Sequence, residues 1–292
     1  MEETWLLLAL LAVMLYGVSQ VATKVSLGRI PASGFISLSM VVSVPICLVC
    51  ISPYVSSGEL FDVDPAVMII ALAAASFGQL GYYFYLEAAE RGSISIVGSV
   101  TAAYPIMVIA VAIIFLSEAP TIVQLTGVLL VTASMMVLSY MHGKGSDSTT
   151  YIGKWFSMAM ISVIFYGLWA IFTKLALDDM PALMFLGIYA FVIPPTVFGY
   201  YLYKGVRMKK ALPTWSIQFM IGIIASEIGN LGFFCEVYAA DQGPASIVFP
   251  LVAANPVVVV LLAYGFLKER LTRNEVILVA LVILGIVMAS SV

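Results

Sequence analysis

Two stretches decide how this chain reads: LYGVSQVATKVSL, from Leu15 to Leu27, and FYGLWAIFTKLAL, from Phe165 to Leu177. At a shift of 150 residues Tyr16 falls on Tyr166, Gly17 on Gly167, and Thr23-Lys24 on Thr173-Lys174. Outward from there the match continues at a shift of 151. Gly78-Gln79 falls on Gly229-Asn230, Gly81 on Gly232, Ala89 on Ala240, and Ser95-Ile96-Val97 on Ser246-Ile247-Val248. Ala102-Ala103-Tyr104-Pro105 then meets Ala253-Ala254-Asn255-Pro256, and Phe115-Leu116 with Glu118 meets Phe266-Leu267 with Glu269. A near-constant shift over about a hundred residues marks a duplicated unit.

The medium around that unit follows from composition. The 292 residues are 62% hydrophobic and only 10% charged, with a mean hydropathy of +1.09. Soluble domains carry about 25% charged residues, so the solvent expected here is lipid. Cutting at charged, Gly and Pro clusters gives ten apolar segments: 4–24, 33–54, 66–89, 93–116, 121–141, 154–177, 182–203, 214–240, 244–267 and 273–291. The expected fold is thus all-α and integral to the membrane, with ten transmembrane helices. Residues 1–141 form the first five-helix repeat, 142–153 a polar linker, and 154–292 the second repeat. The N-terminus carries Glu2-Glu3 where a secretory leader is basic, so the run from Trp5 to Ala22 is expected to be a retained span.

Five spans per half is an odd number, so the second half enters the bilayer upside down. Inverted repeats of this kind are a common architecture of secondary transporters. Loops after odd-numbered spans hold nearly all the basic residues, among them Lys24, Arg91, Lys154, Lys204 and Arg273, and Lys174 alone falls on the other side. By the positive-inside rule those loops are cytoplasmic and both termini outside.

Several classes are excluded. The net charge of −3 and the scattered basic residues argue against nucleic acid. A single histidine, His142, leaves no histidine-ligated metal or Ser-His-Asp triad, and no cofactor is expected. Cys47 and Cys50 form C-x-x-C without a βαβ setting and read as small apolar residues. No nucleotide-binding motif is present. The chain is therefore read as a non-enzyme.

At the repeat signatures the chain resembles the drug/metabolite transporter superfamily and, within it, the EamA family. The residues that carry this are Tyr16-Gly17 with Thr23-Lys24 and their partners Tyr166-Gly167 with Thr173-Lys174. With them go Ala89 and Ala240, Pro105 and Pro256, and FL-x-E-x-x-T at Glu118/Thr121 and Glu269/Thr272. The resemblance implies a ten-helix bundle around a central cavity lined by the first, third, fourth, sixth, eighth and ninth spans. It implies export or exchange of amino acids, other small metabolites or nucleotide-linked compounds, and the expected location is the plasma membrane of a prokaryote. It also implies cytoplasmic termini, against the basic-residue count, which is followed here. The alternative reading is a membrane sensor or scaffold.

Polar side chains at membrane depth are costly and face a cavity or a partner. On the eighth span Glu227, Asn230 and Phe234 share a helical face, matched on the third by Ser76, Gln79 and Tyr83. Tyr16, Gln20 and Thr23 form a face of the first span, and Tyr166, Trp169 and Thr173 one of the sixth. The expected substrate site is Gln20, Gln79, Tyr83, Tyr104, Trp169, Glu227, Asn230 and Asn255. Glu227 is the expected partner of a substrate amine or of a coupling proton. Pro105 and Pro256 are expected hinges in mid-span. Lys24 and Lys174 are read as snorkelling anchors, and Glu118 and Glu269 as braces of short loops. Glu87 and Glu236 receive no role. Gly127 and Gly285 permit close helix approach, in a monomer or a homodimer.

Overall fold

The computed structural model describes residues 4–27, 30–91, 97, 100–101, 103–116, 118–143, 154–205, 216–267 and 272–289. The described residues are almost entirely helical. The helices are α1 (Thr4–Leu27), α2 (Ala32–Ser57), the short α3 (Glu59–Asp62), α4 (Pro65–Arg91), α5 (Tyr104–Phe115) and α6 (Ile122–Gly143). They continue as α7 (Lys154–Leu177), α8 (Ala182–Lys204), α9 (Ile217–Gln242), α10 (Ala245–Val252), α11 (Pro256–Leu267) and α12 (Arg273–Ala289). Six of these, α1, α2, α4, α7, α8 and α9, are long and apolar enough to cross a membrane. Four shorter apolar stretches accompany them, at Tyr104–Ile114, Ile122–Val137, Ala245–Val259 and Val276–Ala289. Glu269 and most of the expected linker lie outside the described residues.

The halves interlock. α1 packs along α9, and the equivalent α7 packs along α4; α2 meets α8 and α6 meets α12. Glycines make the long contacts close. A Cβ added at Gly232 would stand 3.1 Å from the Tyr16 ring, and one at Gly81 would stand 3.0 Å from the Tyr166 ring. Likewise Gly17 fits against Val258 and Gly167 against Met107. Each pair is the repeat image of the other, so the duplication in the sequence is also a duplication of contacts. Gly127 and Gly285 touch each other across α6 and α12; the close approach they permit is within the chain.

The ninth expected span differs in form, and the fourth shares the difference at its proline. The ninth, 244–267, is two helices, α10 and α11, separated by a turn at Ala253, Ala254 and Asn255. Pro256 is the first residue of α11, and Pro105 lies in the first turn of α5, after a turn at Ala103. Neither proline bends a continuous helix. Proline lacks the N–H that a helix interior requires, yet its fixed φ suits a first turn. The span therefore breaks ahead of the ring and restarts on it.

Candidate functional site

The break in the ninth span opens onto a cavity of about 410 Å³ at the centre of the molecule. Its wall draws on α1, α2, α4, α7, α8 and α9, with Tyr104 from α5 and Asn255 and Pro256 from the break. The chain's own polar groups shape it. The Gln20 side-chain amide donates to Asn255 Oδ1 at 2.7 Å. Asn255 Nδ2 in turn donates to the carbonyl of Val252 at 3.0 Å. That carbonyl lies four residues before Pro256, which has no N–H to offer it, so the Asn255 side chain supplies one of its donors. The Tyr104 hydroxyl donates to the Phe249 carbonyl at 3.2 Å, tying α5 to α10 across the halves.

An aromatic wall stands opposite. Trp169 donates its indole N–H to the Tyr189 hydroxyl at 2.9 Å. Phe249, Phe233 and Tyr166 lie 5.4 Å, 6.2 Å and 6.5 Å from Trp169, centroid to centroid. Gly78 leaves this indole its space, for a Cβ there would come within 2.8 Å of it.

Of the expected site residues, Gln20, Gln79, Tyr104, Trp169, Asn230 and Asn255 line this cavity. Tyr83 and Glu227 do not. Tyr83 is buried against α8, its hydroxyl hydrogen-bonded to Thr196 at 3.1 Å. Glu227 is exposed and shares a stripe with exposed Met220, Ile224 and Leu231, so it looks away from the cavity. The cause is one residue of helical phase: the lining face of α9 runs through Ser226, Gly229, Asn230 and Phe233.

The carboxylate that does line the cavity is Glu236, which is 3% exposed and accepts a 2.6 Å hydrogen bond from the Tyr16 hydroxyl. Sequence reasoning left it without a role because it sits close to the end of its span. The repeat carried a usable signal: at the shift of 151, Glu236 falls on Tyr85, another lining residue. It also stands one helical turn after Gly232, against which Tyr16 packs.

The cavity reaches Lys24 at the end of α1 and Phe35 near the start of α2, hence one membrane face. At the opposite end of the bundle, side chains from the first half and α7 are tied to α9 and α10. Glu118 accepts from the Ala245 N–H at 2.7 Å, the Ser246 N–H at 2.9 Å and the Ser246 hydroxyl at 2.5 Å. A carboxylate is favoured there because the first N–H groups of α10 are unpaired and the helix dipole is positive at that end. Lys174 is not a snorkelling anchor: it donates to the carbonyls of Ala240 at 3.0 Å and Gly243 at 3.3 Å, capping the C-terminal end of α9. At the open face a second cluster joins the halves. Buried Glu87 of α4 takes hydrogen bonds from Tyr200 and Arg91 and pairs with Lys204 of α8 at 2.5 Å.

Known proteins match over nearly the whole chain or about half of it. The model of the EamA-like transporter family matches twice, over residues 3–140 and 153–291. An uncharacterized protein of Methanocaldococcus jannaschii is 29% identical over 134 residues, which is 46% of this chain and 93% of that protein. A crystal structure at 16% identity superposes with a TM-score of 0.75, covering 99% of this chain and 97% of its own. At that identity it speaks to the fold alone.

Proposed function

The chain belongs to the EamA-like transporter family, and from that premise, a multi-pass membrane transporter of small molecules, we propose a secondary exporter or exchanger working by alternating access. One observation carries the reading. A central cavity walled by both halves reaches one membrane face, while Glu118 and Lys174 close the other. In this reading ten spans form two inverted repeats, 1–141 and 154–292, related by an axis in the membrane plane. Residues 142–153 link them. The open face holds Lys24, Arg91 and Lys204 and is the cytoplasmic one by the positive-inside rule. The molecule is then inward-facing, in the plasma membrane of a prokaryote.

The substrate would sit among Gln20, Gln79, Tyr104, Trp169, Asn230 and Asn255, with Glu236 in the part first assigned to Glu227. A coupling proton would share that carboxylate. The breaks before Pro105 and Pro256 would serve as hinges, since a span already interrupted needs no helical hydrogen bond broken in order to rock.

Counterflow in proteoliposomes tests the proposal, using radiolabelled amines and amino acids with and without a pH gradient. Saturable uptake accelerated by unlabelled substrate on the far side is expected. Folded protein that moves nothing from such a pool would favour a sensor or scaffold.

A further inference from the structure

The cavity is chemically polarised from end to end. Its charged lining residues are Glu236, toward the closed end, and Lys24, toward the open face. Near Glu236 stand Tyr16, Tyr104 and Tyr166, with the Tyr104 and Tyr166 rings 5.9 Å apart. A buried carboxylate beside aromatic rings is the setting that favours an organic ammonium. Tyr16 donates to Oε2 of Glu236, which leaves Oε1 for a ligand.

Two turns earlier on α9 the chemistry reverses. Ser226 and Asn230 line the same cavity. Ser226 Oγ and Asn230 Nδ2 are buried, with no hydrogen-bond partner among the described residues. Asn230 is held by its oxygen, which accepts from the Ser43 hydroxyl at 2.9 Å. Its two N–H donors are left without an acceptor among the described residues. A buried donor without an acceptor costs about 1–3 kcal/mol, and an acceptor brought by a ligand removes that cost. Asn230 and Glu236 are six residues apart, about 9 Å along the helix axis. Phe233, next to Trp169, lies between them.

We propose that this cavity takes an elongated amphipathic amine, with its ammonium on Glu236, an apolar body against Trp169 and Phe233, and an acceptor group at its far end on Asn230 and Ser226. The amine enters first and the acceptor end trails toward Lys24. Ligands that carry amine and acceptor at opposite ends of the body are preferred to those that carry both on one carbon. This assignment rests on the transport reading only for its consequence; occupancy of the cavity is a matter of binding.

Calorimetric titration of the purified protein tests it without a membrane gradient. The probes are 4-(2-aminoethyl)benzamide, 2-phenylethylamine (no acceptor), 4-ethylbenzamide (no amine) and phenylalanine (both groups on one carbon). The first is expected to bind at least tenfold more tightly than each of the others. Glu236→Gln keeps an acceptor for Tyr16 and should bind the aminoethyl and ethyl benzamides equally, while Glu236→Asp restores part of the preference. Asn230→Leu with Ser226→Ala should bind the benzamide amine no better than phenylethylamine. Unfolding temperatures near wild type keep these results interpretable, and the probe series in the unmutated protein stands whatever the variants do. Phenylalanine binding as tightly as the benzamide amine, the neutral amide matching it, or no probe binding at all would overturn the assignment. Binding as described with no counterflow would leave the site intact and sink the transport mechanism instead.

Discussion

At the residue scale, two glutamates on one helix differ by their angle around its axis. Glu227 stands in mid-helix on a stripe of exposed apolar side chains, and Glu236 is buried on the cavity wall. Sequence made the first conspicuous because a mid-span acid costs about 2.5–3.5 kcal/mol on insertion scales. That argument demands a reason for the residue but does not fix which way it points. Polar residues spaced i, i+3 define an arc too broad to separate neighbouring phases, so Asn230 was found and Glu227 was mistaken for its companion. Glu227→Leu is expected to keep counterflow within about twofold of wild type and to raise the unfolding temperature in lipid nanodiscs, by removing that insertion cost. Loss of counterflow in folded Glu227→Leu protein would return the carboxylate to the mechanism.

At the scale of elements, the long helices were legible because hydrophobic length is what a bilayer demands. The divided ninth span was not. Proline announces a missing hydrogen bond, but whether the helix bends or stops depends on who satisfies the freed carbonyl. Here it is Asn255, from within the turn. Helix contacts were half legible: paired glycines advertise close approach without naming the partner. Gly17→Ala would set a Cβ 2.4 Å from Val258 Cβ and should destabilise the protein by about 1–3 kcal/mol. Gly199→Ala, with nothing within 4 Å of the new Cβ, should instead stabilise α8 by about 0.5–1 kcal/mol. Thermal unfolding of the two variants side by side checks both signs. A Gly17→Ala protein as stable as wild type would mean that α1 and α11 pack less tightly than described.

At the scale of the molecule, the repeat made the two-part plan readable, because a constant shift survives where individual motifs are weak. The tie at Glu118 was not readable, since it depends on Glu118 meeting residues 127 and 128 positions away. Glu118→Ala should loosen it. With Cys47, Cys50 and Cys235 replaced by Ala, a membrane-impermeant thiol reagent added from the face where α9 ends should label Tyr189→Cys severalfold faster when Glu118 is also replaced. An unchanged labelling rate would show that this carboxylate does not hold the end shut. The crosswise packing bears, finally, on how the protein is made. The partners of α1 and α4 are α9 and α7, so the first half leaves the ribosome with its glycine faces uncovered. At synthesis rates of about 5–20 residues per second, the later half arrives about 8–30 seconds behind it. Until then the newborn helices wait in the bilayer beside lipids or insertion factors, and the two halves expressed as separate polypeptides should find each other there.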